Sequence, residues 1–145
     1  MHVERTFAVA VPVERVWDYL SDFSRTEQWD PGTVSTRRTS GDGGVGTTYA
    51  NVSQFMGREV SLVYTTAVAE RPHALEFHGE NKQSSARDIL RFRAMAPDTT
   101  EIHYRAEFRF HGVTRFLAPL IVPFKLPALA DETVEHLTKA LETHA

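Results

Sequence analysis

Apolar and polar side chains alternate along most of this chain, a pattern typical of β-strands that bury one face. Near the start, Val3, Phe7 and Val9 share one parity and predict a half-buried first strand. Pro12 ends this strand region because proline has no N–H to donate to a β-ladder. The same period of two predicts six further strands, at residues 34–40, 47–55, 58–70, 74–79, 85–94 and 100–111.

The period changes to that of an amphipathic helix directly after Pro12. Apolar positions three or four residues apart predict this helix at Val13, Val16, Trp17 and Leu20. A second helical turn is predicted over residues 25–29, begun by Ser24 and ended before Pro31. Two small helices are therefore expected between the first strand and the run of six.

The carboxy-terminal segment is predicted to cover the apolar face of the sheet. Its apolar residues recur at helical spacing, at Ala130, Val134, Leu137 and Leu141. Upstream, prolines at positions 119, 123 and 127 predict a bent or broken segment over residues 114–126. The links between strands are short and rich in turn residues, which indicates antiparallel hairpins.

Composition and charge narrow the function classes. The 145 residues fit one domain, residues 1–145, and 41% hydrophobic with 24% charged residues is globular composition. A net charge of −3 gives no electrostatic basis for binding nucleic acid. The absence of cysteine excludes a disulfide scaffold, a thiolate nucleophile and any cysteine-ligated metal.

The first residues and the longest apolar run indicate where in the cell the protein is expected. An acid and a base stand within the first six residues, where a signal peptide needs an apolar core. The longest mostly apolar run, residues 116–130, contains Lys125 and three prolines and is too short to span a bilayer. We therefore expect a soluble cytoplasmic protein with no integral membrane association.

Two motifs invite a cofactor hypothesis. Residues 41–46 match the dinucleotide-binding pattern G-x-G-x-x-G, but that pattern holds a pyrophosphate only where a helix follows. Here a strand follows, so a hairpin loop is favoured. None of the seven histidines lies three or four residues from another within a helix. Neither a metal nor another cofactor is therefore predicted.

Three segments, in this order and spacing, carry a resemblance to a known superfamily: residues 12–22 (PVERVWDYLSD), 29–31 (WDP) and 44–49 (GVGTTY). With these elements, the chain resembles the SRPBCC superfamily of START lipid-transfer domains, polyketide cyclase/dehydrase proteins and the birch pollen allergen. The resemblance implies an α+β helix-grip fold, in which a curved seven-stranded antiparallel sheet wraps around a long carboxy-terminal helix. Two short helices join strands 1 and 2, and a cavity lies between sheet and helix. No single reaction follows from it.

The inward-facing side chains of such a fold are the predicted ligand contacts, since apolar cavities with a few polar groups bind small molecules. Most lie on the middle strands, and three from the proline-containing segment are predicted to close one end. The predicted ligand-binding residues are Phe55, Leu62, Tyr64, Phe77, Leu90, Phe92, Tyr104, Phe108, Phe116, Leu120 and Phe124.

Three polar residues on the inward parity are the candidate catalytic groups. Asp88 shares the parity of Leu90 and Phe92, and burial would raise the pKa of its carboxyl and suit it to acid–base chemistry. The alternative is that Asp88, near its strand end, reaches solvent or pairs with Arg87 or with neighbours of Arg91. The hydroxyls of Tyr64 and Tyr104 are predicted to orient a ligand oxygen.

These observations favour a binding protein for a hydrophobic or amphipathic small molecule such as a lipid, quinone or polyketide. The alternative is a cofactor-independent cyclase, aromatase or dehydrase. A third hypothesis is protein interaction through an arginine-bearing outer face at Arg87, Arg91 and Arg105, although cross-strand ion pairs explain those residues more simply. The oligomeric state, monomer or homodimer, stays open.

Overall fold

The computed structural model describes residues 1–55, 57–112 and 114–145, and the side chains of all of these except 114 and 117–123. After β1 (His2–Val9) come α1 (Val13–Ser21), a 3₁₀ turn (Phe23–Arg25) and α2 (Thr26–Trp29). The remaining elements are β2 (Thr33–Ser40), β3 (Thr48–Phe55), β4 (Arg58–Glu70), β5 (Ala74–Glu80), β6 (Ser84–Ala96), β7 (Thr99–Phe110) and α3 (Thr114–His144). All seven predicted strands are present, with ends within two residues of those expected.

The seven strands form one antiparallel sheet in the order β1-β7-β6-β5-β4-β3-β2. The sheet is strongly curved. Four strand spacings separate β3 from β7, roughly 19 Å in a flat sheet, yet the ring centroids of Phe55 on β3 and Phe108 on β7 are only 6.1 Å apart. The sheet therefore curls around the terminal helix, and the predicted helix-grip fold is confirmed.

One end of the interior is a closed apolar core between the sheet, α1 and the second half of α3. Val16 and Leu20 of α1, with Leu137 and Leu141 of α3, are at most 1% exposed. Their spacing in sequence puts each pair on one helix face, which is why the helices fold onto the sheet. Burying each leucine contributes roughly 1.5–3 kcal/mol relative to leaving it exposed.

The residue that caps the start of the 3₁₀ turn is Asp22, whereas the sequence analysis predicted Ser24 as the first residue of this helical segment. The carboxylate of Asp22 accepts hydrogen bonds from the N–H of Ser24 at 3.0 Å and from its hydroxyl at 2.6 Å. The prediction that Ser24 begins this segment is therefore wrong. A carboxylate two residues earlier satisfies the free N–H, and the serine hydroxyl is a donor to it.

The helix α3 runs without a break from Thr114 to His144, so the predicted segment over residues 114–126 is not broken. Prolines four residues apart remove hydrogen bonds along one side of a helix, while the ladder on its other sides can continue. No helix in the described part of the chain is both long enough and apolar enough to cross a membrane.

The glycine-rich segment is a loop between β2 and β3, as predicted. Gly41, Gly43 and Gly46 all have positive φ angles, which side chains rarely tolerate. At Gly41 a Cβ atom would also lie 2.7 Å from the Cα of Thr47. The loop geometry thus explains the glycines without any bound nucleotide.

A second glycine sets the position of an aromatic ring. Gly79 on β5 pairs directly with Tyr64 on β4, so both face the interior. A Cβ atom on Gly79 would lie 2.6 Å from two atoms of the Tyr64 ring, closer than real side chains approach. The tyrosine ring therefore lies against bare backbone, and its far side meets Phe23 with ring centroids 4.5 Å apart.

We expect Gly79→Ala to lower the free energy of unfolding by about 1–3 kcal/mol, because the methyl group must push the Tyr64 ring out of place. Urea unfolding followed by circular dichroism measures the change. Gly44→Ala is the matched control, since its Cβ would meet only a side-chain oxygen of Asp42, at 3.3 Å. Equal stability of the two variants would show that the ring is free to move.

Candidate functional site

The inward-facing side chains of the sheet fall into two groups that differ in exposure. Toward α1 they are sealed: Phe77 and Leu90 are 0% exposed and Phe92 is 4% exposed. Toward the opposite ends of these strands, the inward side chains keep partial exposure. The half-buried inward residues are Phe55, Leu62, Asp88, Phe108 and Phe110. We call this part of the inner sheet face the open end of the interior.

A small apolar cluster forms the wall of this open end. Leu126 of α3 is 5% exposed and packs with Val3, Phe55, Phe108 and Phe110. Phe55 and Phe108 stack nearly parallel, with 18° between their planes. The wall is thus built from β1, β3, β7 and one residue of the helix.

The predicted closure by the proline-containing segment does not match the structure. Phe116 is 67% exposed and Phe124 is 81% exposed, so neither ring lines the interior. The side chain of Leu120 lies outside the described residues. Leu126, which the sequence analysis did not select, takes the expected role, because helical spacing places it on the same face as Ala130.

A hydrogen-bonded carboxyl lies at the boundary between the sealed core and the open end. Asp88 pairs with Phe77 on β5 and with Ala106 on β7, and its side chain faces inward. Its Oδ1 accepts a hydrogen bond of 2.9 Å from the hydroxyl of Tyr104, which is 6% exposed. The structure thus favours the buried alternative for Asp88 over solvent or an arginine partner.

A second carboxyl and an indole approach the same place from α2. The carboxylate of Asp30 accepts hydrogen bonds from the N–H of Gly32 at 3.0 Å and from the hydroxyl of Thr33 at 2.8 Å. The ring of Trp29 meets that of Tyr104 nearly at right angles, with centroids 6.3 Å apart. Asp88, Tyr104, Tyr64, Asp30 and Trp29 are hereafter the polar floor.

Burial shifts the pKa of every titratable group in the polar floor. It raises the pKa of Asp88 to about 7, helped by the charge of Asp30 and opposed by the Tyr104 hydrogen bond. The pKa of Asp30 is also raised, chiefly by burial. Burial and the two nearby carboxyls hold the pKa values of Tyr64 and Tyr104 well above normal. Near neutral pH, Asp88 can therefore give or take a proton while both tyrosines stay neutral.

Another buried polar group beside the floor is internally satisfied. Asn51 donates to the hydroxyl oxygen of Thr36 at 2.8 Å and accepts from the hydroxyl of Ser53 at 2.8 Å. The hydroxyls of Thr36 and Thr26 lie 2.6 Å apart. This network ties β2, β3 and α2 together, and its members use their hydrogen bonds on one another.

The outer face of the sheet carries a shallow groove of about 640 Å³ with charged walls. Its Arg87 lies within 3.9 Å of Glu76 and 3.8 Å of Glu107, and Arg91 lies within 3.6 Å of Glu76. These are the cross-strand pairs expected of a solvated face. Within the described ranges, no cluster of three or more His, Asp or Glu side chains could hold a metal. The inner face is therefore the stronger candidate for a site.

The sequence analysis selected Asp88, Tyr64 and Tyr104, and the structure brings all three to one region. It did not select Trp29 or Asp30 as site residues. Their only signal was the motif at residues 29–31, and nothing in a sequence shows that a residue after a small helix reaches the middle of the sheet.

The family of the chain follows from its sequence as a whole. Residues 1–142 match the family described as polyketide cyclase / dehydrase and lipid transport. The chain belongs to this family. Among proteins with curated descriptions, none matches it in sequence.

Solved structures share the fold of this chain. The Zhui aromatase/cyclase from Streptomyces sp. R1128 is 14% identical, with a TM-score of 0.82 over 98% of this chain and 93% of that one. A START superfamily protein from Mycobacterium smegmatis is 19% identical, with a TM-score of 0.71 over 98% and 94%. Ara h 8.0201 is 12% identical, with a TM-score of 0.63 over 96% and 98%. The SRPBCC resemblance is thereby confirmed.

We expect Asp88→Asn to become more stable relative to wild type as pH rises. The raised pKa of Asp88 means that the folded state keeps a proton that the unfolded state releases above pH about 4. The contribution of Asp88 to stability is therefore full below that pH and is lost as pH rises through about 7. Between pH 4.5 and 8 the variant should gain roughly 2–4 kcal/mol on wild type in urea unfolding.

Asp18→Asn is the control for this measurement. Arg71 lowers the pKa of the exposed Asp18 through two hydrogen bonds, so that carboxyl contributes stability at high pH and loses it as pH falls. That loss lies below pH about 4, so between pH 4.5 and 8 the stability of Asp18→Asn relative to wild type should stay constant while that of Asp88→Asn rises. Parallel curves for Asp88→Asn and wild type would show that Asp88 is not buried.

Proposed function

We propose that this protein binds a hydrophobic or amphipathic small molecule between the sheet and α3, at the open end of the interior. The observation that carries the proposal is the pairing of half-buried apolar side chains with a polar floor. Phe55, Leu62 and Phe108 keep accessible surface although they face inward. Side chains that merely fill a core are sealed, as Leu90 is.

The physical basis of binding is removal of apolar surface from water. Each Å² of apolar area buried contributes roughly 25 cal/mol, so a ligand that buries 200 Å² gains about 5 kcal/mol before the cost of association. The aromatic wall at Phe55 and Phe108 offers flat surfaces to rings or chains. The polar floor then fixes which end of the ligand points inward.

The family supports this proposal without naming a ligand. The family description includes both polyketide cyclases and lipid transport. The structural neighbours include an aromatase/cyclase and a START superfamily protein. Both kinds of protein share the fold of this chain, and fold alone does not decide between carrying a ligand and converting it.

We expect Nile red, an uncharged apolar dye, to bind the wild-type protein and to fluoresce more strongly there than in water. Phe108→Ala should weaken this binding roughly threefold to tenfold, because it removes one face of the wall. Phe124→Ala is the matched control, since that ring is 81% exposed. Native mass spectrometry of gently purified protein then identifies any ligand retained from the host.

Absence of Nile red binding to folded wild-type protein would overturn the proposed function. Equal effects of Phe108→Ala and Phe124→Ala would instead show that the dye binds at the surface. The first outcome concerns the existence of the site, and the second concerns its place.

A second candidate function is a cofactor-independent cyclase or dehydrase, and the pair of Asp88 and Tyr104 favours it. A carboxyl whose pKa is about 7 can take a proton from carbon beside a carbonyl and return one to a leaving oxygen. Its hydrogen-bonded tyrosine is placed to hold that carboxyl in one orientation. In a protein that only binds its ligand, a carboxyl of this kind would be useful only as a contact that recognises the ligand.

Heptane-2,4,6-trione tests this second candidate, since cyclisation with loss of water converts it to a phenol that absorbs in the ultraviolet. We expect an enzyme-dependent rate that rises with pH through about 7 and falls at least a hundredfold in Asp88→Asn. Asp18→Asn should leave the rate unchanged. A rate and pH profile unaltered in Asp88→Asn would remove Asp88 from the chemistry.

A further inference from the structure

We infer that the polar end of the ligand is an uncharged carbonyl oxygen, received by the indole N–H of Trp29 beside Tyr104 and Asp88, and that the site rejects carboxylate ligands. The inference rests on the proposed function and specifies the chemical class of ligand at that same site. It comes from an unused hydrogen-bond donor and from the sign of the charges around it.

The unused donor is the Nε1–H of Trp29. This side chain is 3% exposed, and its Nε1 is fully buried with no hydrogen-bond acceptor among the described residues. An indole nitrogen can only donate, so the group that satisfies it must be an acceptor. A buried donor left unpaired is destabilising, and a ligand acceptor would remove that cost on binding.

The other tryptophan, Trp17, shows the hydrogen bonding of an indole that has only a structural role. Nε1 of Trp17 donates to the main-chain oxygen of Ala74 at 2.9 Å. Both indoles pack against the same apolar core. The contrast makes Trp29 the exception, and its ring meets the ring of Tyr104, whose hydroxyl donates to Asp88.

The charges around the floor disfavour an anionic ligand. The groups whose charges shift the pKa values of Asp88, Tyr64 and Tyr104 are acidic or phenolic, and no described arginine or lysine contributes. Beside Asp30, His136 and Glu132 on α3 act in opposite directions. A carboxylate entering this region would face two carboxyls where little water screens them.

One arginine on the inner sheet face, Arg5, is held by other contacts. Arg5 pairs with Tyr104 across the strands, so it shares the inward parity. Its Nε lies 2.9 Å from Oδ1 of Asp131, and its other nitrogens donate to the main-chain oxygens of Glu4 and Pro127. Three of its five N–H groups already donate, and these contacts hold the side chain between β1 and α3.

Three naphthalenes of nearly the same shape test the inference by displacement of Nile red at pH 8: 2-acetonaphthone, 2-naphthoate and 2-isopropylnaphthalene. The ketone offers an acceptor, the carboxylate adds a charge, and the hydrocarbon has neither. We expect the ketone to bind at least tenfold more tightly than the carboxylate. In Trp29→Phe, affinity for the ketone should fall roughly threefold to tenfold while affinity for the hydrocarbon stays the same.

Trp17→Phe is the matched control and should leave the preference for the ketone intact, since the indole it removes is already bonded. Asp88→Asn provides a second variant that does not depend on the packing of Trp29. It should raise affinity for 2-naphthoate at pH 8 at least threefold, because it removes a negative charge from the floor. Urea unfolding confirms that each variant is folded before its binding is measured.

The outcomes separate this inference from the proposed function. If Nile red binds but 2-naphthoate displaces it as well as the ketone does, the inference is overturned and the proposed function stands. Equal losses for ketone and hydrocarbon in Trp29→Phe would overturn the role of the indole N–H. If Nile red binds and none of the three naphthalenes displaces it, the inference also falls. If Nile red itself does not bind, both fall together.

Discussion

The curvature of the sheet is the constraint on which the rest of this structure depends. Only a sheet that curls can bring Phe55 and Phe108 into contact from strands four places apart. Irregularities in the pairing contribute to the bend, since β-bulges increase local twist. One lies between Thr66 and Val68 on β4 and another between Ala94 and Ala96 on β6. A flat sheet with the same residues would offer one open apolar face and no interior.

Unequal filling of that interior produces the candidate site. The sealed end receives two helices, and its side chains interlock to the density of an ordinary core. The open end receives α3 with Leu126 as its buried contact in the apolar wall, and inward side chains there keep accessible surface. Asp88 lies at the boundary, between sealed side chains of the core and inward side chains that keep partial exposure, and its burial raises the pKa of its carboxyl to about 7.

Sequence periodicity predicted the strands and the inward parity of Asp88, because a period of two fixes which side chains share a face. It could not predict the Tyr104 hydrogen bond, which depends on the register between β6 and β7. It failed at Phe116 and Phe124, since apolar character alone does not say which face of a helix meets the core. Asp30 and Trp29 depend on the path of the chain after α2, which only tertiary structure determines.

The contact between Tyr64 and Gly79 also sets the width of the interior at this point. The ring of Tyr64 lies between the main chain at Gly79 and the ring of Phe23. A small residue at position 64 would vacate a space one aromatic ring thick, and the glycine beneath it would present a flat peptide surface to whatever entered. Variants that exchange size between positions 64 and 79 would thus reshape the interior at this point while keeping the same backbone.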